Sequence, residues 1–258
     1  MVTLVQTSLY WQDKQANLVH FNKLIKAVTE TDLIILPEMF NTGFSMEAKL
    51  LAEEMKGETV TWMKQLAFEK NAAILGSLII KENESYYNRL VSAGPDGGLI
   101  TYDKRHLFRM ADEHLTYSGG LKTILLNIRG WKIKPFICYD LRFPVWSRNK
   151  YVKSIGWDYD LAIYVANWPA ARAHAWKTLA VARAIENQSY VISLNRIGQD
   201  GKGYAYSGDS QVINSYGESL LHLDESEYVK TVTLSMEALN KHRSDFPVGM
   251  DMDEFNIE

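Results

Sequence analysis

Cysteine is nearly absent from this 258-residue chain, which has a single one, Cys138. An internal disulfide is therefore impossible and a cysteine-based zinc cluster is disfavoured, which removes the disulfide-stapled secreted scaffolds from consideration. Charge of one sign is not in excess either: 28 Lys and Arg face 31 Asp and Glu, a formal −3 at pH 7. That balance supplies no long basic field for a nucleic-acid backbone, so no nucleic-acid partner is expected. Long apolar runs are missing as well. Stretches such as Ala72–Leu75 with Leu78–Ile80 fall far short of the roughly 20 residues a membrane helix needs, and no membrane partner is expected. The opening Met1-Val-Thr-Leu-Val-Gln-Thr lacks the basic start, apolar stretch and cleavage site of a signal peptide, so a cytoplasmic location is expected. The six histidines include no H-E-x-x-H pair, and His106 and His114 lie eight apart without a third ligand at helical spacing. No metal site is expected. Gly97-Gly98 and Gly119-Gly120 read as turns, not phosphate loops, and no cofactor is expected.

What is present is an ordinary globular composition, 47% apolar and 23% charged. A chain of this length buries roughly three quarters of its unfolded surface and needs no staple to fold. Short β-rich runs alternate with longer helical ones. Val2–Ser8 reads as a strand, and Asp13–Glu30 as a helix with Leu18, Phe21, Leu24, Ile25 and Val28 on one face. Asp32–Pro37 is a continuous apolar run of the kind buried on both faces of a sheet. A helix at Thr59–Asn71 and a strand at Ala72–Ile80 follow. Tyr86–Ala93 and Leu99–Asp103 form a hairpin through Gly94-Pro-Asp-Gly-Gly, and Thr123–Ile128 with Lys132–Cys138 another through Arg129-Gly130.

A helix near Val145–Val152, a strand at Leu161–Ala166, a helix at Arg172–Asn187 and a strand at Tyr190–Asn195 come next. Strands at Gln211–Asn214, Ser219–Leu223 and Val229–Leu234 and a helix at Ser235–His242 close the body. About ten strands exceed what one ordinary open sheet holds, so two face-to-face sheets covered by helices are expected, an α/β protein. No Pro/Ser/Gly-rich linker interrupts the chain, which reads as one domain over 1–258 with 243–258 as a C-terminal tail, its acidic end Asp251–Glu258 expected to be solvated.

Three polar residues sit where strands should end. Glu38 follows Ile34-Ile-Leu-Pro, Lys104 follows Tyr102-Asp103, and Cys138 ends Lys134-Pro-Phe-Ile-Cys. The carboxyl ends of strands in α/β folds open onto the ligand crevice. A thiol attacks as thiolate, which a nearby ammonium favours. A carboxylate can take the thiol proton, pass it to a departing amine and then activate water. The ammonium and a backbone N–H beside the cysteine can hold the oxyanion of the tetrahedral intermediate. Together they describe amide hydrolysis through a thioester. Taken singly, each has a plainer explanation: a buried hydrophobic thiol, a loop carboxylate and a solvated loop lysine. A Cys138–His dyad with His106 or His114 as base is disfavoured, because Glu38 and Lys104 already supply those roles.

The local contexts decide between these readings. Leu36-Pro-Glu-Met-Phe-Asn-Thr-Gly-Phe, Tyr102-Asp-Lys-Arg-His-Leu-Phe and Cys138-Tyr-Asp-Leu-Arg-Phe-Pro resemble, in order, the three active-site segments of the nitrilase (carbon–nitrogen hydrolase) superfamily. Ala166-Asn-Trp-Pro, Arg183-Ala-Ile-Glu-Asn-Gln and Ser207-Gly-Asp-Ser-Gln-Val-Ile also fit its pattern, and the likeness runs from about residue 1 to about 240. The resemblance implies a four-layer α-β-β-α sandwich, commonly paired into dimers. It makes Glu38 the general base, Lys104 the oxyanion and thiolate partner, Cys138 the nucleophile and the Tyr139 N–H the second oxyanion donor. It also implies a second glutamate near the lysine. Glu113, in Met110-Ala-Asp-Glu-His, is the candidate, orienting Lys104 or the substrate amide. Glu186 and Asp209 are expected to be structural acids.

The segments around Lys104 and Cys138 are most similar to the bacterial omega-amidase branch, which cleaves the terminal amide of 2-oxoglutaramate or 2-oxosuccinamate. Nitrilases proper usually carry Trp-Glu after the cysteine where this chain has Tyr139-Asp140, which favours an amide over a nitrile. The far carboxylate of such a substrate calls for a buried arginine, with Arg142 first and Arg109 and Arg105 behind it. Phe44, Tyr139, Asn167 and Trp168 are candidates to wall the pocket. Two alternatives keep the triad or the fold: an N-carbamoyl amino acid hydrolase or deaminated-glutathione amidase, and a non-catalytic binding protein.

Overall fold

A computed structural model describes residues 1–255. In chain order its elements begin with β1 (Val2–Gln6), α1 (Lys14–Ile25), β2 (Leu33–Ile35), α2 (Ala48–Leu51), α3 (Glu58–Lys70), β3 (Ala73–Glu82), β4 (Ser85–Ala93) and β5 (Leu99–Asp103). Then come α4 (Glu113–Thr116), β6 (Leu126–Ile128), β7 (Trp131–Ile137), α5 (Pro144–Ser147), β8 (Tyr151–Val152), β9 (Gly156–Trp157) and β10 (Leu161–Ala166). The chain closes with α6 (Ala173–Glu186), β11 (Tyr190–Asn195), β12 (Ile197–Gln199), β13 (Ala205–Ser207), β14 (Gln211–Ile213), β15 (Ser219–His222), β16 (Tyr228–Val232) and α7 (Met236–Asp245). None of the helices among the described residues is long and apolar enough to cross a membrane.

Two six-stranded sheets are built on one plan. The first runs β16-β1-β2-β3-β4-β5 and the second β15-β14-β11-β10-β7-β6. In each, three parallel strands (β1, β2, β3; β7, β10, β11) are flanked by antiparallel ones. The period-2 alternation of strand side chains sorts the first sheet's residues into two layers. Val2, Leu4, Leu33, Ile35, Ala73 and Leu75 join the second sheet's Ile133, Phe136 and Ile163 in a central core. Their neighbours Val5, Ile34, Leu36 and Ile74 pack on Leu18, Phe21 and Ile25 of α1 and on Val60, Met63 and Leu66 of α3. Each such Leu or Ile, fully buried, is worth about 1.5–3 kcal/mol. On the far side of the second sheet Trp176, Ala180 and Ala184 of α6 pack down. The result is the four-layer α-β-β-α sandwich that the motifs imply.

Local chemistry explains where the elements start and stop. Asp13 caps α1 by accepting the Ala16 N–H, and Asn71 closes α3 in the left-handed conformation. The turn at Arg129-Gly130, with φ of 49° and 82°, joins β6 to β7 as the sequence indicates. Pro135 is tolerated inside β7 because β6 ends opposite Ile133 and leaves that edge open.

Four segments differ from the sequence expectation. The helix expected over Asp13–Glu30 stops at Ile25, and Val28 still reaches the core from the following turn, so periodicity overran the helix. The helix expected near Val145–Val152 is only Pro144–Ser147. Asn149 then turns the chain: its backbone N–H donates to Asn187 Oδ1 at 2.8 Å and its Nδ2 to the carbonyls of Tyr159 and Asn187, and β8 pairs with β9. The hairpin β12–β13 had no counterpart in the expected elements. The last helix runs three residues past His242. Arg243, at the start of the expected tail, is buried and donates to Asp160 Oδ1 at 2.7 Å and to the carbonyls of Tyr159 and Gln188. Gly249 packs against Trp157. Residues 256–258 of the expected tail lie outside the described residues.

Candidate active site

The three parallel strands of each sheet point their carboxyl ends the same way. Two antiparallel steps, β3 to β4 and β4 to β5, bring β5 back to that direction. Glu38 after β2, Lys104 after β5, Cys138 after β7 and Asn167 after β10 therefore meet at one end of the sandwich. The chain carrying Glu38 runs along β3, with the Leu36 and Phe40 N–H groups bonded to the Leu75 and Ser77 carbonyls. Gly76 permits this approach, since a Cβ there would lie 2.8 Å from Phe40 Cδ1.

Lys104 Nζ donates to Glu38 Oε1 at 2.8 Å and to both oxygens of Glu113 at 3.0 Å. All three side chains are at most 1% exposed. Asn88 on β4 ties the carboxylates together, its Nδ2 donating to Glu38 Oε1 at 2.8 Å and to Glu113 Oε1 at 3.2 Å. Its own Oδ1 accepts from Ser77 Oγ, which in turn accepts the Met39 N–H. Glu38 Oε2 accepts the Asn167 N–H at 2.8 Å, and Glu113 Oε2 the Phe108 N–H at 2.6 Å. Buried charges this well paired keep their ionised forms only with partners in place. The two carboxylates hold the Lys104 ammonium well above its ordinary pKa against the opposing effect of burial. Burial raises the Glu113 carboxyl, Lys104 lowers it and Glu38 raises it.

Cys138 sits at the break between β7 and a 3-10 turn, at φ +45°, a left-handed conformation that non-glycine residues rarely adopt. Met39, next to Glu38, shares it at φ +43°. Burial raises the Cys138 thiol well above its ordinary value and the Glu38 charge raises it further, while Lys104 pulls it down. Burial thus favours the protonated thiol at Cys138, with a carboxylate and an ammonium beside it.

The cavity above these groups holds about 360 Å³, within the range of small-molecule sites. Lys104, Cys138, Phe44, Tyr139, Asn167 and Trp168 all line it. Lys104 Nζ lies 5.1 Å from the Phe44 ring centre, and Asn167 Nδ2 donates to the Glu38 carbonyl at 2.5 Å. Arg142 also lines the cavity but is solvent-exposed at its mouth, not buried, with its guanidinium 5.0 Å from the Trp168 ring. Arg105 is bonded to the Gly120 carbonyl over Trp146, and Arg109 is exposed; neither lines the cavity. Glu186 pairs with Arg183, and Asp209 with Lys177 and His222.

The sequence reading missed Asn88, Arg172 and the β12–β13 hairpin. Arg172 lines the cavity with its guanidinium 5.2 Å from the Phe108 ring, and its carbonyl accepts from Trp168 Nε1. The hairpin brings Asp200, Lys202 and Tyr204 to the rim. Asp200 shapes it, one oxygen accepting the Lys202 and Tyr204 N–H groups and the other the Tyr206 hydroxyl. Among the described residues neither Arg142 nor Arg172 has a carboxylate partner within 4.0 Å. The available signals were Asn88 inside the expected strand Tyr86–Ala93 and the Asp200-Gly201 turn pair. Nothing in the sequence marks Arg172.

Comparison with known proteins places this architecture. The carbon-nitrogen hydrolase family matches residues 1–243. The chain is 48% identical to the omega-amidase YafV of Escherichia coli over 259 residues, covering 99% of this chain and 98% of that protein. It is 32% identical to the 2-oxoglutaramate amidase of Bacillus subtilis over 231 residues, 88% of this chain and 87% of that one. A CN-hydrolase superfamily protein of Xanthomonas campestris, solved with an arsenic adduct in its active site, superposes with a TM-score of 0.98 at 45% identity, covering 100% of this chain and 98% of the other. On its motifs, its fold and these matches, the chain belongs to the carbon–nitrogen hydrolase family.

Proposed function

We propose that this enzyme is an omega-amidase that hydrolyses the terminal amide of small 2-oxo acid amides, 2-oxoglutaramate or 2-oxosuccinamate, to the 2-oxo dicarboxylate and ammonia. One observation carries the reading: a single cavity joins a buried Glu38–Lys104–Glu113 cluster beside Cys138 to two arginines without carboxylate partners among the described residues. The similarity to the Escherichia coli and Bacillus subtilis amidases supports it.

In this reading Glu38 takes the Cys138 proton as the thiolate attacks the amide carbon. The oxyanion is held by the Lys104 ammonium and the Tyr139 N–H. The tetrahedral intermediate collapses, the C–N bond breaks, and Glu38 returns the proton to the departing nitrogen, releasing ammonia and leaving a thioester on Cys138. Water deprotonated by Glu38 then attacks the thioester carbon, and the acid leaves as the thiol regains its proton. Glu113 is a positioning group that keeps Lys104 charged and aimed. Arg142 and Arg172 draw the substrate carboxylate to the far end. The same cations disfavour glutamine, whose α-ammonium would lie among them. A cytoplasmic homodimer completes the proposal; a lone thiol nucleophile suits a reducing compartment.

The test is ammonia release from 2-oxoglutaramate beside glutamine, an N-carbamoyl amino acid and a simple nitrile. Strong preference for the 2-oxo amide is expected. Hydrolysis of the carbamoyl compound alone would move the substrate and keep the chemistry, and no turnover of any amide would refute the enzyme reading.

A further inference from the structure

Asp140, two residues beyond Cys138, is 0% exposed and holds four hydrogen bonds. Its Oδ2 accepts the Tyr102 hydroxyl at 2.7 Å and the Ile137 N–H at 3.1 Å. Its Oδ1 accepts the His106 N–H at 3.0 Å and lies 2.8 Å from His106 Nδ1. The donors are placed tellingly. Ile137 is the residue before Cys138, and Tyr102 and His106 are the residues two before and two after Lys104. A single buried carboxylate thus bolts the end of β5 in one sheet to the turn after β7 in the other. The bolt is itself braced: Trp146 Nε1 donates to the Tyr102 hydroxyl at 2.9 Å, and the His106 ring stacks on Phe143 at 3.7 Å. Burial, with Asp140 next, keeps the Tyr102 proton on its oxygen, so that group stays a donor.

From this we infer that Asp140 is a positioning residue for catalysis, setting the Cys138 thiol in register with the Lys104 ammonium through Ile137 on one side and Tyr102 and His106 on the other. The inference rests on the proposed reading of Cys138 as nucleophile and Lys104 as its partner. Cys138 occupies a left-handed conformation that its own side chain does not favour, and the Asp140–Ile137 bond spans that turn. Asp140 touches no reacting atom. Its effect is on where the thiol points, and displacements of about 1 Å in a reacting group cost on the order of 100-fold in rate.

The experiment compares wild type with Asp140→Asn, Tyr102→Phe and His106→Ala. It measures kcat and KM for 2-oxoglutaramate, the rate of Cys138 alkylation by iodoacetamide in the folded protein, and the thermal midpoint. An amide at 140 keeps one acceptor oxygen and turns an NH2 toward two donors. Asp140→Asn should therefore lose about 100-fold in kcat with KM within about threefold, and alkylation should slow in parallel. Tyr102→Phe removes one of the four bonds and should lose about tenfold in both. A folded Asp140→Asn with wild-type kcat and alkylation rate, whatever its thermal midpoint, overturns the inference. If Asp140→Asn does not fold, Tyr102→Phe and His106→Ala decide it on the same two rates. Cys138→Ala separates the failures: persistent ammonia release there defeats the nucleophile reading itself, whereas an inactive Cys138→Ala beside a fully active Asp140→Asn defeats only the role of Asp140.

Discussion

At the floor of the cavity Lys104 has two carboxylates within 3.0 Å and is almost wholly enclosed, whereas at the mouth Arg142 and Arg172 rest against aromatic rings with no carboxylate partner among the described residues. The difference teaches what each region is for. A buried charge set that satisfies itself, with Asn88 bridging its acids, holds one geometry and spends nothing on capturing ligand. Cations left open at an entrance hold no internal geometry and are available to an incoming anion. Floor substitutions should therefore act on the chemical step, and mouth substitutions on binding.

The comparison breaks most visibly at Cys138, the proposed nucleophile. Cys138→Ala should lower kcat by on the order of 10⁴-fold or more while leaving circular dichroism unchanged, because it deletes the covalent route and little volume. Lys104→Met should come next. It strands two carboxylates in a dry site, so activity should fall by about 10³-fold and the urea midpoint should report a loss of roughly 3–5 kcal/mol. At the mouth, Arg142→Met and Arg172→Met should each raise KM for 2-oxoglutaramate about five- to tenfold with kcat nearly unchanged and leave an uncharged amide alone. The exposure of Arg142 holds its effect to this smaller size. Equal shifts for both amides would make the arginines structural.

The smallest effect is on stability against pH. Burial raises the folded Cys138 pKa well above its unfolded value, so in the window between the two the folded state holds a proton that the unfolded chain has released. Stability from the thiol is fully present below the unfolded pKa of roughly 8.5 and is lost as pH rises, by at most about 1.4 kcal/mol per unit. Urea midpoints measured from pH 8 to 10 should fall more steeply for wild type than for Cys138→Ala. Above about pH 10.4 both should fall further, since the raised Lys104 pKa makes its contribution drain away in the same direction.

Much of this was legible in the sequence, for reasons tied to particular residues. The strand Leu161–Ala166 is a continuous apolar run and Tyr190–Asn195 a β-rich one, and the structure bounds both at those residues. Glu38, Lys104 and Cys138 each sit at the end of an expected strand, so strand ends and chemistry could be read together. Asn88 was not legible as part of the site, because its meaning is its approach to Glu38, 50 residues away. Arg172 belongs to the approach to α6 by pattern and to the cavity only through the placement of Trp168 and Phe108. The helix expected at Val145–Val152 failed because Asn149 finds its partners at Tyr159 and Asn187, long-range bonds that local propensity does not register. The start of the tail was placed too early for the same reason, as Arg243 is held by Asp160 from 83 residues away.

The most direct test of the central claim is steady-state ammonia release from 2-oxoglutaramate by Lys104→Met and Arg172→Met side by side. The account predicts that the first loses kcat and the second raises KM with kcat preserved. Loss of kcat in both, or a KM effect in both, would contradict the division of the cavity into a floor that does the chemistry and a mouth that takes the anion.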